Sequence, residues 1–93
     1  MKYSITDFTN YVEKHGINIQ DVKAHDISWK LVTLKDGWIA IFQYDPIKGT
    51  YTPIVQAKGY IFAKEYIKQF GDVLGLNKLK DENYRPFNFE IED

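Results

Sequence analysis

An Asp-Gly pair lies between two runs that favour β-structure, and this arrangement limits the fold more than any other feature. The runs are residues 27–34 and 38–44, and Asp36-Gly37 separates them. β-Branched and aromatic residues favour strands, and Asp-Gly suits the two central positions of a type I′ turn. The sequence therefore predicts an antiparallel hairpin in which Leu34 lies opposite Ile39.

This register divides the side chains of the sheet into two faces of different chemistry. The aliphatic face, which suits a packed helix, would contain Val32, Leu34, Ile39, Ile41 and Ile54. Aromatic residues can form either core or an anchor for a partner, because they bury large areas at low entropic cost. We predict that a protein partner binds the opposite, aromatic face, whose ring-bearing residues are Trp29, Trp38, Phe42, Tyr44 and Tyr51.

Two stretches with helical periodicity flank the strands. The pattern from Ser4 to Asp7 is typical of a capping box, so a first helix is predicted over 5–15, ending before Gly16. A second amphipathic helix is predicted over 61–74, with an earlier end near Phe70 as the alternative. Residues 18–23 fit either a short helix or an extended connector.

Two further segments complete the predicted sheet. Residues 51–57 have strand character, and Pro53 within them indicates an edge strand. Residues 86–91 alternate apolar and polar side chains, which favours a short fourth strand. The predicted fold is a single α+β domain over 1–93. It contains an antiparallel meander of three to four strands, an N-terminal helix and a second helix packed on the sheet, in the order α-β-β-β-α-(β).

The order of helix, three-stranded meander and helix is similar to the topology of double-stranded-RNA-binding domains and of small DNA-binding modules of integrases. The lysine pair and small-residue run expected at the start of the second helix are missing, since the sequence there reads Lys58-Gly59-Tyr60-Ile61-Phe62-Ala63-Lys64. The resemblance is one of topology alone, and it implies no nucleic-acid function.

Charge is unevenly distributed along the chain. Residues 1–80 contain eleven Lys and eight acidic residues, whereas 81–93 contain one Arg and five acidic residues. Dedicated nucleic-acid binders concentrate basic residues on one face, so this balance disfavours that class. The segment 81–93 is an acidic tail that offers a second surface for a protein partner.

Cysteine is absent, and no stretch has the length and hydropathy of a membrane helix or a signal peptide. Secreted domains of this size usually need disulfides, so a cytoplasmic location is expected. Eleven Lys against one Arg, together with eleven Ile, indicate AT-rich coding and hence a low-GC bacterium or its phage.

No residue pattern typical of catalysis or metal binding occurs. The two histidines, His15 and His25, lack acidic neighbours at metal-ligand spacing. Neither Ser4 nor Ser28 lies in a nucleophile elbow, and the glycines occur singly rather than in a phosphate-binding cluster. We therefore expect no enzymatic activity, no cofactor and no bound metal.

These observations favour a non-catalytic interaction or regulatory protein, either a small regulator or a phage-type inhibitor. It would bind a protein through the sheet aromatics or the acidic tail; no membrane association is expected, and the partner and oligomeric state stay open. The alternative is a nucleic-acid-binding module, which requires five lysines to share one face: Lys30, Lys35, Lys58, Lys64 and Lys68.

Overall fold

The computed structural model describes residues 2–70 and 82–87. They form two helices on opposite faces of one antiparallel five-stranded sheet with strand order β1-β2-β3-β4-β5. The elements in chain order are α1 (Ile5–His15), β1 (Gly16–Ala24), β2 (Ile27–Leu34), β3 (Ile39–Asp45), β4 (Thr50–Ala57), α2 (Tyr60–Lys68) and β5 (Tyr84–Arg85). The predicted α+β class and meander are confirmed.

The first helix begins and ends where the sequence predicts. The Ser4 hydroxyl accepts the N–H of Asp7 at 3.1 Å, and the Asp7 carboxylate accepts the N–H of Ser4 at 3.3 Å. The chain then passes directly from α1 into β1 at Gly16. A Cβ atom at this position would lie only 2.8 Å from Cγ1 of Val32 and 3.0 Å from the carbonyl oxygen of Val12. Glycine is therefore required for this close approach.

The segment whose conformation the sequence left open forms the first strand, β1. A turn at His25 and Asp26 connects it to β2, and both residues have positive φ, of 56° and 59°. Two such angles in a two-residue loop are typical of a type I′ turn. The turn lacks the Asn-Gly or Asp-Gly pair that usually occupies these positions, so the sequence contains no clear sign of this hairpin.

The β2–β3 hairpin forms, but its predicted register is wrong by one residue. Leu34 donates its N–H to the carbonyl of Trp38 at 2.7 Å, so Lys35 joins Asp36 and Gly37 in a three-residue loop. Only Gly37 has a positive φ there, at 92°, whereas a type I′ turn needs two such residues. Ile39 consequently lies opposite Thr33 rather than Leu34.

This one-residue shift changes which residues share a face. Leu31 pairs with Ile41 instead of Phe42, and Trp29 pairs with Gln43 instead of Tyr44. The face that packs against α2 therefore contains Trp29 and Leu31 in addition to the predicted Ile39 and Ile41. Val32 and Leu34, predicted there, lie on the face covered by α1.

Each face of the sheet is covered by a helix, over two separate clusters of buried residues. The cluster under α1 is rich in rings, and its closest pair is Phe8 and Tyr51, stacked with centroids 4.0 Å apart. It consists of Tyr3, Phe8, Tyr11, Val32, Leu34, Ala40, Phe42 and Tyr51. The cluster under α2 consists of Trp29, Leu31, Ile39, Ile41, Val55, Ala57, Ala63, Tyr66, Ile67 and Tyr84.

The edge position predicted for the Pro53 strand is wrong, because β4 has β3 on one side and β5 on the other. Pro53 pairs with Phe42 next to a bulge, where a missing N–H is tolerated. The bulge also places Val55 in the α2 cluster, on the face of the sheet opposite to Tyr51.

The last strand differs from the prediction, and the second helix agrees with it in part. β5 begins at Tyr84 and ends at Arg85, before the predicted strand of 86–91, of which residues 88–91 lie outside the described part. Helix α2 ends at Lys68, close to the earlier of the two predicted ends, and residues 71–74 lie outside the described part.

Candidate functional site

Among the described strands, β1 forms one edge of the sheet, since β2 is its only neighbour in their order. It has nine residues, and five consecutive positions, 17–21, are exposed. Strands in globular proteins usually have about five or six residues, so this edge is long. Ile17 and Ile19 are 68% and 43% exposed, respectively. A long edge strand with exposed apolar side chains is a template for pairing with another chain.

The register identifies which backbone groups of β1 face outward. Because Leu34 donates its N–H to Trp38, the even-numbered residues of β2 bond to β3 and the odd-numbered ones bond to β1. The odd-numbered Leu31 and Trp29 lie opposite Gln20 and Val22. The residues that alternate with these therefore direct their N–H and C=O groups away from the sheet. We call them the outward set: Ile19, Asp21 and Lys23.

A groove of about 670 Å³ lies between the second half of β1 and α2. Both apolar and charged side chains contribute to its walls. Its lining residues are Val22, Lys23, Ala24, His25, Tyr60, Ile61, Lys64, Glu65, Ile67 and Lys68. The groove therefore joins the outward edge of β1 to the exposed side of α2, and we call this combined surface the β1–α2 site.

Two hydrogen bonds hold α2 alongside β1. Near the start of the helix, the Gln20 side-chain amide donates to the Tyr60 hydroxyl at 2.8 Å. Near its end, Nε2 of His25 lies 2.9 Å from the carbonyl oxygen of Ile67. Residue numbers thus increase in the same direction along both elements. The helix flanks β1 from Gln20 to the turn. Its buried face contains Tyr66 and Ile67, and burial raises the pKa of the Tyr66 hydroxyl.

The β1–β2 turn that closes one end of the site has an unfavourable backbone conformation. Non-glycine residues at positive φ cost on the order of 1 kcal/mol or more each, and His25 and Asp26 both adopt it. The hydrogen bond between the His25 ring and the Ile67 carbonyl offsets part of this cost by linking the turn to α2. The turn is therefore positioned by tertiary contact rather than by local preference.

Charge in the β1–α2 site is predominantly positive. Lys23, Lys64 and Lys68 are all exposed, whereas Glu65 is the only acidic residue among the described residues that line the groove. The Glu65 carboxylate accepts a hydrogen bond from the Gln69 side chain. Lys64 lies over the Tyr60 ring, with Nζ 5.3 Å from the centroid.

The five aromatic residues predicted to bind a partner do not lie together on one surface. Trp29 is fully buried under α2, and its ring N–H donates to the carbonyl of Ala24 at 3.2 Å. Phe42 and Tyr51, which are 0% and 6% exposed, belong to the cluster under α1. Trp38 and Tyr44 are half-buried beside that same cluster.

Burial does not measure binding, so the partner-binding role of these aromatics stays a prediction. Partner binding by Trp29, Phe42 and Tyr51 would require the core to open. Of the two half-buried rings, that of Tyr44 contacts Lys30, whose Nζ lies 5.3 Å from the ring centroid. The half-buried Trp38 ring is covered by the Arg85 guanidinium at 4.2 Å.

The five lysines of the nucleic-acid alternative do not share one face. Lys30 lies on the α1 side of the sheet, where Nζ is 2.6 Å from Oδ1 of Asp21. Lys35 belongs to the β2–β3 turn and Lys58 follows β4, whereas Lys64 and Lys68 lie on α2 on the opposite side. The acidic tail residues 88–93 and residue 81 lie outside the described part.

Sequence reasoning missed the β1–α2 site because its main element was ambiguous. Apolar residues alternate with polar ones at Ile17, Asn18, Ile19 and Gln20, which is the period expected of a half-buried strand. This alternation is the signal that could have identified β1. It was obscured by the absence of an Asn-Gly or Asp-Gly pair at the following turn, where His25 and Asp26 lie.

Residues 2–70 and 82–87 contain no group of three or more His, Asp or Glu side chains arranged to hold a metal ion. Within the same ranges, neither helix is long and apolar enough to span a bilayer. Comparisons with protein-family models, curated proteins and solved structures found no match.

Proposed function

We propose that this protein is a non-catalytic interaction domain that binds an extended segment of a protein partner. The segment adds to the sheet as a strand along the outward edge of β1. The observation that carries this proposal is the nine-residue edge strand whose outward set, Ile19, Asp21 and Lys23, has backbone groups directed away from β2. Strand addition supplies affinity through main-chain hydrogen bonds.

The flanking helix gives this edge a second property that a bare strand lacks. An added strand would lie about 4.8 Å from β1, and alternate side chains of that strand would point towards the α2 side of the sheet. There they meet the groove with its exposed Tyr60 and Ile61, which are 40% and 79% exposed. Backbone pairing would provide affinity, and the groove would provide selectivity among sequences.

The nucleic-acid alternative receives less support from the geometry. Phosphate binding at useful affinity needs several basic residues on one face, and the five candidate lysines are divided between two faces and two turns. The exposed backbone donors and acceptors of β1 match another peptide backbone rather than a chain of phosphates. We therefore favour a peptide segment of a protein.

The test is a selection from a displayed library of random peptides of about ten residues, long enough to span β1. Selected peptides are then measured against Asp21→Pro and Asp21→Ala. Proline at this outward position removes one outward N–H and leaves the bonds to β2 in place. Alanine removes the same side chain, including its ion pair with Lys30, but keeps the N–H.

We expect peptides that bind the wild type and Asp21→Ala but lose about tenfold or more in affinity for Asp21→Pro. Circular dichroism and a thermal melt verify that the proline variant is folded. If it does not fold, Ile19→Pro with Ile19→Ala is the equivalent pair. A selection whose peptides all bind the proline and alanine variants equally well would overturn strand addition at β1.

A further inference from the structure

We infer that the segment bound at the β1–α2 site is acidic and places Asp or Glu side chains against α2. This inference rests on the proposed strand addition and specifies its ligand. Two lysines of α2, Lys64 and Lys68, line a groove in which Glu65 is the only acidic residue among the described lining residues. The excess of positive charge at the point of contact selects a negatively charged partner.

These lysines have no carboxylate partner within the part of the chain that the structure describes. Two basic residues elsewhere in that part do have one: Lys30 pairs with Asp21 at 2.6 Å, and Arg85 pairs with Asp36 at 2.8 Å. The Lys64 ammonium instead lies 3.4 Å from the Tyr60 hydroxyl, a neutral acceptor. A ligand carboxylate would therefore pair with these lysines without displacing an existing ion pair.

The spacing of groups on α2 matches the spacing of side chains in a strand. Ile61 and Lys64 are three residues apart, so their Cβ atoms lie about 5 to 6 Å from each other on the helix surface. Side chains on one face of a strand repeat every two residues, or about 6.6 Å. An apolar residue beside Ile61 and an acidic residue beside Lys64 would thus be two positions apart in the ligand.

Continuation along the helix predicts a second acidic position. Lys68 lies four residues, or about one turn, after Lys64, which corresponds to about 6 Å along the axis. A strand residue two positions beyond the first acid reaches it. The ligand inferred from the geometry is an extended segment in which one apolar and two acidic side chains alternate with residues that face the other side.

The sequences of the edge-dependent peptides, those weakened by Asp21→Pro, test this inference. We expect them to contain Asp and Glu well in excess of the starting library, at alternate positions. Their affinity should fall about tenfold for the double variant Lys64→Glu/Lys68→Glu, which reverses the charge of α2. A second selection on that variant should enrich Lys and Arg instead.

The matched control is Lys35→Glu/Lys48→Glu, which changes the net charge equally at two exposed turn residues outside the groove. It should weaken these peptides by less than about twofold, because screened charges at a distance contribute little. If charge reversal unfolds α2, Lys64→Gln/Lys68→Gln removes the charges while keeping residues that favour a helix.

Each result separates this inference from the function on which it rests. Edge-dependent peptides without acidic enrichment, or with unchanged affinity for the α2 variants, would overturn the acidic ligand and leave strand addition in place. A selection without edge-dependent peptides would overturn both. Tighter binding of single-stranded oligo-dT than of any selected peptide, abolished by the α2 variants, would assign the lysines to nucleic acid and overturn the inference.

Discussion

The two edges of the sheet are stabilised in different ways. At one edge, β1 contributes nine residues, of which most are exposed, so its attachment depends on the backbone ladder to β2. At the other, β5 contributes two residues, and their side chains bond to Phe62, Gln56 and Asp36. Tyr84 is 5% exposed, and its hydroxyl donates to the carbonyl of Phe62 at 2.8 Å.

Arg85 extends this attachment across the surface. Its guanidinium group donates to the Gln56 side chain at 2.6 Å and to Asp36 at 2.8 Å, and it covers the Trp38 ring. Natural sheets protect their edges with short strands and charged side chains, and β5 has both. β5 therefore uses its side chains for stability, whereas β1 leaves much of its backbone and several side chains exposed.

The largest predicted effect is at the β5 edge. Tyr84→Ala should lower the free energy of unfolding by about 3 to 5 kcal/mol, because it removes a buried ring from the α2 cluster. Ile19→Ala, at the exposed β1 edge, should change it by less than about 1 kcal/mol. Urea unfolding measures both. Equal effects would show that the two edges are not stabilised differently.

Two proline variants on adjacent residues of β1 test the assignment of its two sides. Gln20→Pro should cost about 2 kcal/mol or more, because it removes a bond to β2 and the contact with Tyr60. Asp21→Pro should cost less than about 1 kcal/mol, because its N–H faces outward and its ion pair is on the surface. Thermal melts measure both losses. A larger loss for Asp21→Pro than for Gln20→Pro would mean that the backbone groups of Gln20 face outward instead.

A smaller effect of opposite sign is expected at the β1–β2 turn. Asp26→Gly should raise the free energy of unfolding by about 0.5 to 1 kcal/mol, because glycine adopts positive φ without steric cost. The His25 contact with Ile67 should persist in this variant. A loss of stability on urea unfolding would mean that the Asp26 side chain contributes more than its backbone conformation costs.

The smallest effect concerns pH at the β5 edge. Burial disfavours ionised Asp36, but the Arg85 hydrogen bond, the Trp38 N–H and the Arg85 charge outweigh it, so the pKa of Asp36 is lowered. A lowered pKa stabilises the folded state at pH values above the unfolded-state pKa, which is about 3.9. This stabilisation is lost as the pH falls through the pKa of the folded state.

Because Asp36 is 53% exposed, this contribution should stay below about 0.5 kcal/mol. The measurement compares wild type with Asp36→Asn, which keeps a side-chain acceptor for the turn. Their difference in unfolding free energy at about pH 6 should shrink at about pH 3. A difference that grows on acidification would contradict the depressed pKa.

The sequence was informative where local preferences agree with the fold. The capping box at Ser4 and Asp7 and the amphipathic pattern of α2 both form as expected. The hairpin position was also correct, but its register depended on whether the loop has two or three residues. Asp36-Gly37 fits both, because Gly37 supplies the positive φ in either case.

The rest depended on contacts between distant residues. The conformation at His25 and Asp26 is held in part by Ile67, which is remote in sequence, so no local signal identifies the turn, and the alternation at residues 17–20 did not by itself identify the strand before it. The β1–α2 site forms only once β1 and α2 lie side by side. Three of the five aromatics predicted to bind a partner lie in the core, and their binding role stays a prediction.

The most direct test of an open β1 edge is amide hydrogen exchange, followed residue by residue with NMR. In the free protein, the amides of Gln20 and Val22 should be protected, and those of Asp21 and Lys23 should exchange rapidly. Addition of an edge-dependent peptide should protect Asp21 and Lys23. Protection of all four amides without a peptide, or continued rapid exchange of Asp21 and Lys23 with peptide bound, would contradict the account.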